Sequence, residues 1–284
     1  MRIKDKFISP FTDFGFKKLF GTEPNKDLLI DFLNELLQSE TGKIIELNYL
    51  PLEQLGQNEE ARKAIFDIYC ESETGEKFIV ELQKAKQNYF KDRSIYYSTF
   101  PIQQQAEKGE WNFKLNAVYT IGILDFVFEE DKEDNHVFHH EVQLFDKNIQ
   151  KVFFDKLTYI YLEMPKFTKT EAELKTHYDK WLYVLKNLSE FTDRPAKLQE
   201  RIFQKLFEQA EIANFNETEY QAYEHSLKIY RDLKNTIDTA FDEGKSEGKI
   251  EGKLETAKNL KQMGISYETI VQATGLSLKQ IEEL

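Results

Sequence analysis

The chain of 284 residues is acidic, with a formal net charge of −12, and 40% of its residues are hydrophobic. Its single cysteine excludes an internal disulfide and fits a reducing cytosol, while the sequence shows no signal peptide and no apolar run that could span a membrane. We therefore expect a cytoplasmic globular protein with one large domain, or a domain and an accessory part.

The N-terminal part predicts two helices and one strand. Residues 11–20 form a short helix that ends at the turn residues 21–25. Lys26 to Gln38 has leucine and phenylalanine at helical spacing, and Ile44 to Leu50 alternates as a strand does.

The stretch from Ala64 to Lys84 predicts a β-hairpin. A three-residue loop, Glu73-Thr74-Gly75, with a left-handed glycine sets Asp67 opposite Glu81 and Ile65 opposite Gln83. Because side chains alternate along a strand, one face is wholly apolar. That face holds Phe66, Ile68, Cys70, Phe78, Val80 and Leu82. The opposite face holds Asp67, Glu81 and Gln83 beside Ile65, Tyr69 and Ile79.

Two carboxylates on the same face of this hairpin point to a metal site. Side by side they repel each other, and a divalent cation between them relieves the repulsion. Carboxylate oxygens and water suit Mg2+, which completes its shell with substrate phosphate oxygens. We interpret Asp67 and Glu81 as a Mg2+ site, with Mn2+ as an alternative ion. An ordinary solvated hairpin face is the other interpretation.

One helix and two strands are predicted after the hairpin. The helix runs from Tyr89 to Lys108, with a kink or break at Pro101. The strands cover residues 118–126, which are mostly apolar, and residues 137–144.

The second of these strands contains another acidic set. Glu141-Val142-Gln143 follows Asp125 as Glu81 follows Asp67, and His136, His139 and His140 crowd the same segment. This set lies in an acidic block, lacks a short turn and has no further zinc ligand at suitable spacing. We therefore expect a solvated edge strand here rather than a metal site.

The C-terminal part predicts helices and an unusual repeat. Helices are expected at Glu171–Leu188, Ala196–Ala213 and Glu217–Ala240. Three Glu-Gly-Lys repeats at residues 243–253 then place glycines in one column of a helix, with no Glu-to-Lys pair at i,i+4. A lone helix of this kind is weak. A flexible charged linker and a helix that pairs with a second copy both stay open.

Two short helices around Gly275, at residues 266–274 and 277–284, end the chain. Their arrangement resembles a helix-turn-helix. Because Glu282 and Glu283 suit a groove-reading helix poorly, we favour packing or oligomerisation over contact with DNA.

Several of these segments together resemble one protein family. Asp67 and Glu81-Leu82-Gln83 resemble the D-x(n)-E-x-K signature of the PD-(D/E)XK nuclease superfamily, with glutamine in the lysine position. The segment Phe11 to Phe20 (FTDFGFKKLF), the tyrosine-rich helix and the Glu-Gly-Lys repeats resemble the Rpn family of recombination-promoting nucleases, also described as transposases.

The resemblance implies an α/β (α+β) fold, with a restriction-endonuclease-like αβββαβ core and a helical C-terminal extension. It divides the chain into a nuclease-like domain at residues 1–168, a helical extension at 169–240 and a tail at 241–284.

The resemblance also implies a Mg2+-dependent DNA endonuclease linked to recombination or transposition. Asp67 and Glu81 then hold the metal, Gln83 replaces the lysine that orients water, and Asp13 is the extra acid, ahead of Glu35. Lys17, Lys18, Arg93 and Gln104 are the candidates for DNA phosphate contact.

A nuclease-like module that binds DNA or a partner protein without cutting is the alternative. The neutral Gln83 and the net acidity favour it, whereas basic clusters at residues 1–20 and 84–93 favour a local phosphate-binding cleft. In either case we expect a homodimer that forms through the C-terminal region.

Overall fold

The computed structural model describes residues 5–37, 42–54, 64–106, 112–133 and 136–284. The chain forms two compact units, residues 1–230 and 231–284, and the division at residues 168 and 240 stays a prediction. No helix among the described residues is long and apolar enough to cross a membrane.

Two helices open the first unit, as predicted. Helix α1 (Asp13–Phe20) is capped by Thr12, whose Oγ1 accepts a hydrogen bond from the Gly15 backbone N–H at 3.0 Å. Helix α2 (Lys26–Leu36) buries its leucine and phenylalanine face. A Cβ at Gly15 would lie 2.1 Å from the Ser9 carbonyl oxygen, so the first turn of α1 requires a glycine where it packs against the preceding segment.

A six-stranded mixed sheet forms the centre of the unit. Its strands are β1 (Leu47–Tyr49), β4 (Ile68–Ser72), β5 (Lys77–Gln83), β6 (Val118–Leu124), β7 (His139–Asp146) and β8 (Lys151–Glu163), in the order β1-β4-β5-β6-β8-β7. Two short strands, β2 (Glu53–Gln54) and β3 (Ala64–Ile65), form a separate pair. Helix α3 (Phe90–Gln104) connects the parallel strands β5 and β6. The order α2, β1, β4, β5, α3, β6 is the predicted αβββαβ core, which is thereby confirmed.

Strand β8 was not predicted, although it is the longest strand of the sheet with 13 residues. It lies between β6 and β7 and pairs with both. Only its second half, from Thr158 to Glu163, is buried, whereas the first half is mostly exposed. The sequence therefore lacks the continuous apolar signal that identified β6.

The hairpin register is confirmed by the structure, except at its open end. Ile68 pairs with Val80, and Gly75 has a φ of +91° in the connecting loop. The pairing of Ile65 with Gln83 is wrong, because residues 64–65 leave the sheet and pair with β2. Phe66 consequently packs with the cluster of Tyr69, Ile79 and Phe100, not on the face of Ile68.

The remaining helices cover the sheet and form the second unit. They are α4 (His177–Asn187), α5 (Arg201–Ala210), α6 (Glu217–Gln262), α7 (Tyr267–Thr274) and α8 (Leu278–Glu282). Short 3-10 turns lie at Glu23–Asn25, Glu129–Asp131, Met164–Lys166, Glu171–Glu173, Leu188–Glu190 and Ile212–Asn214. The main core joins α1, α2, α4, α5 and the first turns of α6 to one face of the sheet.

Three helix predictions need correction. Pro101 lies inside α3 and does not break it. Helix α4 begins at His177 rather than at residue 171, because Thr176 provides a capping box. Helix α6 continues through the Glu-Gly-Lys repeats, so this segment is a helix and not a flexible linker. Helices α7 and α8 pack around Ala257, Ile270, Leu276 and Ile281 within the second unit.

Two glycine substitutions test these backbone requirements. We expect Gly15→Ala to destabilise the protein by about 1–3 kcal/mol, because the new Cβ collides with the Ser9 carbonyl and the cap. Gly42→Ala adds a Cβ in open space at an exposed position and should change the free energy of unfolding by less than about 0.5 kcal/mol. Denaturant unfolding followed by circular dichroism measures both. Equal effects of the two substitutions would contradict this account of Gly15.

Candidate active site

The two predicted metal ligands lie side by side where the hairpin opens. Asp67 directly precedes β4 and, by the register of the pair, lies opposite Glu81 on β5. The Leu82 backbone N–H donates to Asp67 Oδ2 at 2.8 Å, and the Asp67 backbone N–H donates to Glu81 Oε1 at 3.2 Å. Each carboxylate is therefore fixed by the backbone of the opposite strand.

The electrostatics of this pair disfavour two negative charges. Burial, followed by the charge of Asp67, raises the pKa of Glu81 to about 8. Burial also raises the pKa of Asp67, against the opposing effects of the Leu82 hydrogen bond and of Lys17. Without a further cation, the pair therefore retains a proton near neutral pH.

Gln83 lies beside this pair and is bound to an arginine of α3. Arg93 Nη2 donates to Gln83 Oε1, while Gln83 Nε2 donates to the Ala85 carbonyl at 3.1 Å. The guanidinium lies 5.4 Å from the ring centre of Phe90 and 5.7 Å from that of Tyr97. Arg93 is thus placed next to the site, but with a side-chain partner that the sequence did not predict.

A cleft of about 810 Å³ opens beside Asp67 and contains the predicted residues of α1. Asp13 pairs with Lys17 at 2.9 Å, and Lys18 pairs with Glu219 of α6. The structure therefore brings Asp13, Lys17 and Lys18 to one cleft with Asp67, and each of these lysines already has an acidic partner.

The first turns of α6 form a wall of this cleft that sequence reasoning missed. Glu219 and His225 line the cleft. The helix is attached to the region before α1, because the Ser9 backbone N–H donates to Tyr223 Oη at 2.8 Å and the Phe14 N–H donates to Ser226 Oγ at 3.1 Å. Some 200 residues separate these partners, for example 214 between Ser9 and Tyr223, and no local pattern signals such a contact.

Lys84 is a second cation that the sequence analysis did not assign. It lies directly after the end of β5, and Asp13 and Asp67 act on its charge. Burial lowers the pKa of Lys84, and the two carboxylates oppose that shift. Lys84 is therefore a half-buried cation near Asp13 and Asp67.

Two predicted candidates lie apart from the carboxylates. Gln104 accepts a hydrogen bond from Tyr69 Oη at 2.8 Å and donates to Gln54, so both ends of its amide are engaged elsewhere. Glu35 acts on the charge of His177 in another part of the core. Neither residue lines the cleft beside Asp67.

The second acidic set does not assemble into a site. Strand β8 separates β6, which ends just before Asp125, from the edge strand that carries Glu141. Tyr230 Oη donates to Asp125 at 2.7 Å, and His139 Nδ1 lies 3.0 Å from Tyr178 Oη. Within the described ranges, no group of three or more His, Cys, Asp or Glu side chains is placed to hold a metal ion.

The residues present fit an oxygen-binding ion such as Mg2+ better than they fit zinc or copper, which favour imidazole or thiolate ligands. Mg2+ requires only one or two carboxylates and fills its remaining positions with water and phosphate. Asp67 and Glu81 supply two such groups, and their raised pKa values indicate that a positive charge would be favourable there.

The raised pKa values predict how stability depends on pH when divalent metal is removed by a chelator. The pKa of a glutamate in an unfolded chain is about 4.3, whereas that of Glu81 in the folded protein is about 8. The folded state therefore binds this proton more tightly than the unfolded state does. The contribution of this proton to the free energy of unfolding should be complete below about pH 4.3 and be lost as pH rises toward 8. One proton limits the slope to about 1.4 kcal/mol per pH unit.

Glu81→Gln should flatten this pH dependence in urea unfolding measured from pH 5 to 8. Glu130→Gln is the control, because Lys91 holds the pKa of that exposed carboxyl below its usual value. A slope that persists in Glu81→Gln would show that other groups carry the titration.

Comparison with known proteins agrees with this geometry. A family model described as PD-(D/E)XK nuclease family transposase matches residues 10–240. No curated protein and no solved structure matches the chain. The matched residues include the whole six-stranded sheet, both hairpin carboxylates and the part of α6 that lines the cleft. The chain therefore belongs to the PD-(D/E)XK nuclease family transposases.

Proposed function

We propose that this protein is a divalent-metal-dependent DNA endonuclease that hydrolyses phosphodiester bonds. The observation that carries the proposal is the pair Asp67 and Glu81, fixed to each other's strands across a hairpin, with Asp67 at the edge of a cleft. Membership of a nuclease family supports an enzyme of the nuclease type. The link to transposition or recombination rests on the family alone.

Asp67 and Glu81 would hold Mg2+, or Mn2+ in its place. A bound ion would supply charge stabilisation at the scissile phosphate and a more acidic water. Gln83, being neutral, contributes a hydrogen bond to water or to a phosphate oxygen. Lys17 and Lys18 would contact phosphate once it replaces Asp13 and Glu219 as their partners.

The proposal predicts metal-dependent nicking of supercoiled plasmid. Asp67→Ala and Glu81→Ala should each reduce the rate by at least about 100-fold, since each removes a charge that the reaction needs in the site. Gln104→Ala is the matched control, because its amide is bound away from the cleft. Nicking by purified protein that survives Asp67→Ala would refute this assignment of the site.

The alternative function is binding of DNA or a partner protein without cleavage. The intrachain pairing of Lys17 and Lys18, together with the neutral Gln83, favours it. Wild-type protein that binds an oligonucleotide in fluorescence anisotropy, yet nicks nothing with Mg2+ or Mn2+, would support this alternative over the nuclease.

We also propose a homodimer that forms through the second unit. Leu233, Ile237 and Phe241 are 36%, 41% and 64% exposed and follow one another at four-residue steps on α6. Gly244, Gly248 and Gly252 follow these three residues by eleven positions each. Eleven residues make about three helical turns, so the glycines continue the same face. A Cβ on any of these glycines would meet nothing within 4 Å.

A second copy of this helix is the partner that this face fits. A glycine column permits close approach of two backbones, and the flanking glutamate and lysine columns find opposite charges only between chains. Two nuclease sites related by a two-fold axis would also match the symmetry of duplex DNA.

Ile237→Glu should convert the dimer to a monomer at micromolar concentrations, because it buries a charge in the apolar part of the interface. Thr239→Glu adds the same charge about 200° around the helix and should leave the dimer intact. Light scattering measures both. A wild-type monomer, or a dimer that Ile237→Glu leaves unchanged, would contradict this interface.

A further inference from the structure

The hydrogen bonds of Gln83 define which role its side chain can play. A glutamine amide has one acceptor oxygen and two N–H donors. Here the oxygen accepts from Arg93, and one N–H donates to the Ala85 carbonyl at 3.1 Å. With only 7% of the residue exposed, the amide cannot easily turn over. One N–H therefore remains, and Gln83 can act toward a substrate only as a donor.

Arg93 is held firmly enough to impose this orientation. Its second guanidinium nitrogen, Nη1, donates to Gln87, and its plane lies near the rings of Phe90 and Tyr97. Glu81, Arg93 and Tyr97 line the same small cavity between α3 and the sheet. Within the described ranges, no carboxylate forms an ion pair with Arg93, so its charge is not neutralised there.

Two other cations of the site have acidic partners on the side of Asp67. Lys84 directly follows β5, and Asp13 and Asp67 act on its charge. Lys17 belongs to α1 and pairs with Asp13, although it also acts on the charge of Glu81. Arg93, by contrast, lines the same cavity as Glu81 and donates directly to Gln83.

We propose that Arg93 supplies the positive charge that Gln83 lacks, and that the two side chains together replace a lysine. Arg93 orients and polarises the Gln83 amide, so that its remaining N–H donates to an oxygen of the scissile phosphate as negative charge develops there. Arg93 is therefore a positioning residue that acts through Gln83, not a phosphate-binding residue. This inference rests on the proposed nuclease function.

Arg93→Met removes the charge and retains most of the aliphatic stem. We expect the single-turnover nicking rate at saturating DNA to fall about 100-fold, while the affinity for DNA measured by fluorescence anisotropy stays within about threefold of wild type. Lys132→Met is the control, because this exposed cation lies outside the two basic clusters and pairs with Glu129. It should change neither quantity.

A double variant tests whether the missing element is charge at position 83. Gln83→Lys combined with Arg93→Met places a lysine next to Glu81 and removes the competing cation. We expect the double variant to nick DNA at least about tenfold faster than Arg93→Met alone. No recovery, or a loss in Arg93→Met that lies wholly in DNA affinity, would overturn the proposal. If Arg93→Met does not fold, as judged by circular dichroism, Arg93→Gln takes its place in both measurements.

A measurement without DNA separates this inference from the proposed function. Arg93→Met should tighten Mg2+ or Mn2+ binding at least about threefold, because a positive charge near Glu81 is lost. The shift of melting temperature with metal concentration reports this affinity. Wild-type protein that cuts no DNA would refute the nuclease, whereas an unchanged metal affinity in Arg93→Met would refute the role of Arg93.

Discussion

The site depends on two partly buried carboxylates that lie together at the point where a strand leaves its sheet. Because the ladder between β4 and β5 starts at Ile68, the N–H of Asp67 is not used in the sheet and donates to Glu81. The same opening lets Asp67 reach the Leu82 N–H. A continuous strand would occupy these donors. The cost of burying the pair is lowered by a proton or by a divalent cation, which links ligand binding to folding.

Several cations surround this pair, although the protein as a whole is acidic. Lys17 and Lys84 act on the charge of Asp67, and Arg93 and Lys17 act on the charge of Glu81. The net charge of −12 describes the whole surface, whereas screening limits its influence on the cleft to about 10 Å at moderate salt. Because Lys17 and Lys18 are paired in the chain, a phosphate must displace Asp13 and Glu219 to reach them.

Much of the sheet and the central pair could be predicted from the sequence, because both follow from local rules. A left-handed Gly75 and strict alternation together define the register that places Asp67 opposite Glu81. Alternation within the hairpin could not show that residues 64–65 pair with β2, because β2 lies outside the hairpin. The α6 wall of the cleft and the bond between Gln83 and Arg93 are tertiary contacts, which no spacing along the chain encodes.

The glutamine at position 83 is best understood together with Arg93. Gln83 is almost fully buried and in direct contact with the guanidinium. A lysine there would bring two like charges together in a region of low dielectric, where their repulsion is costly. Conversely, an apolar residue at position 83 would leave Arg93 with one less acceptor. The absence of the usual lysine therefore follows from the position of an arginine on the neighbouring helix, and it does not by itself indicate that the site has lost its chemistry.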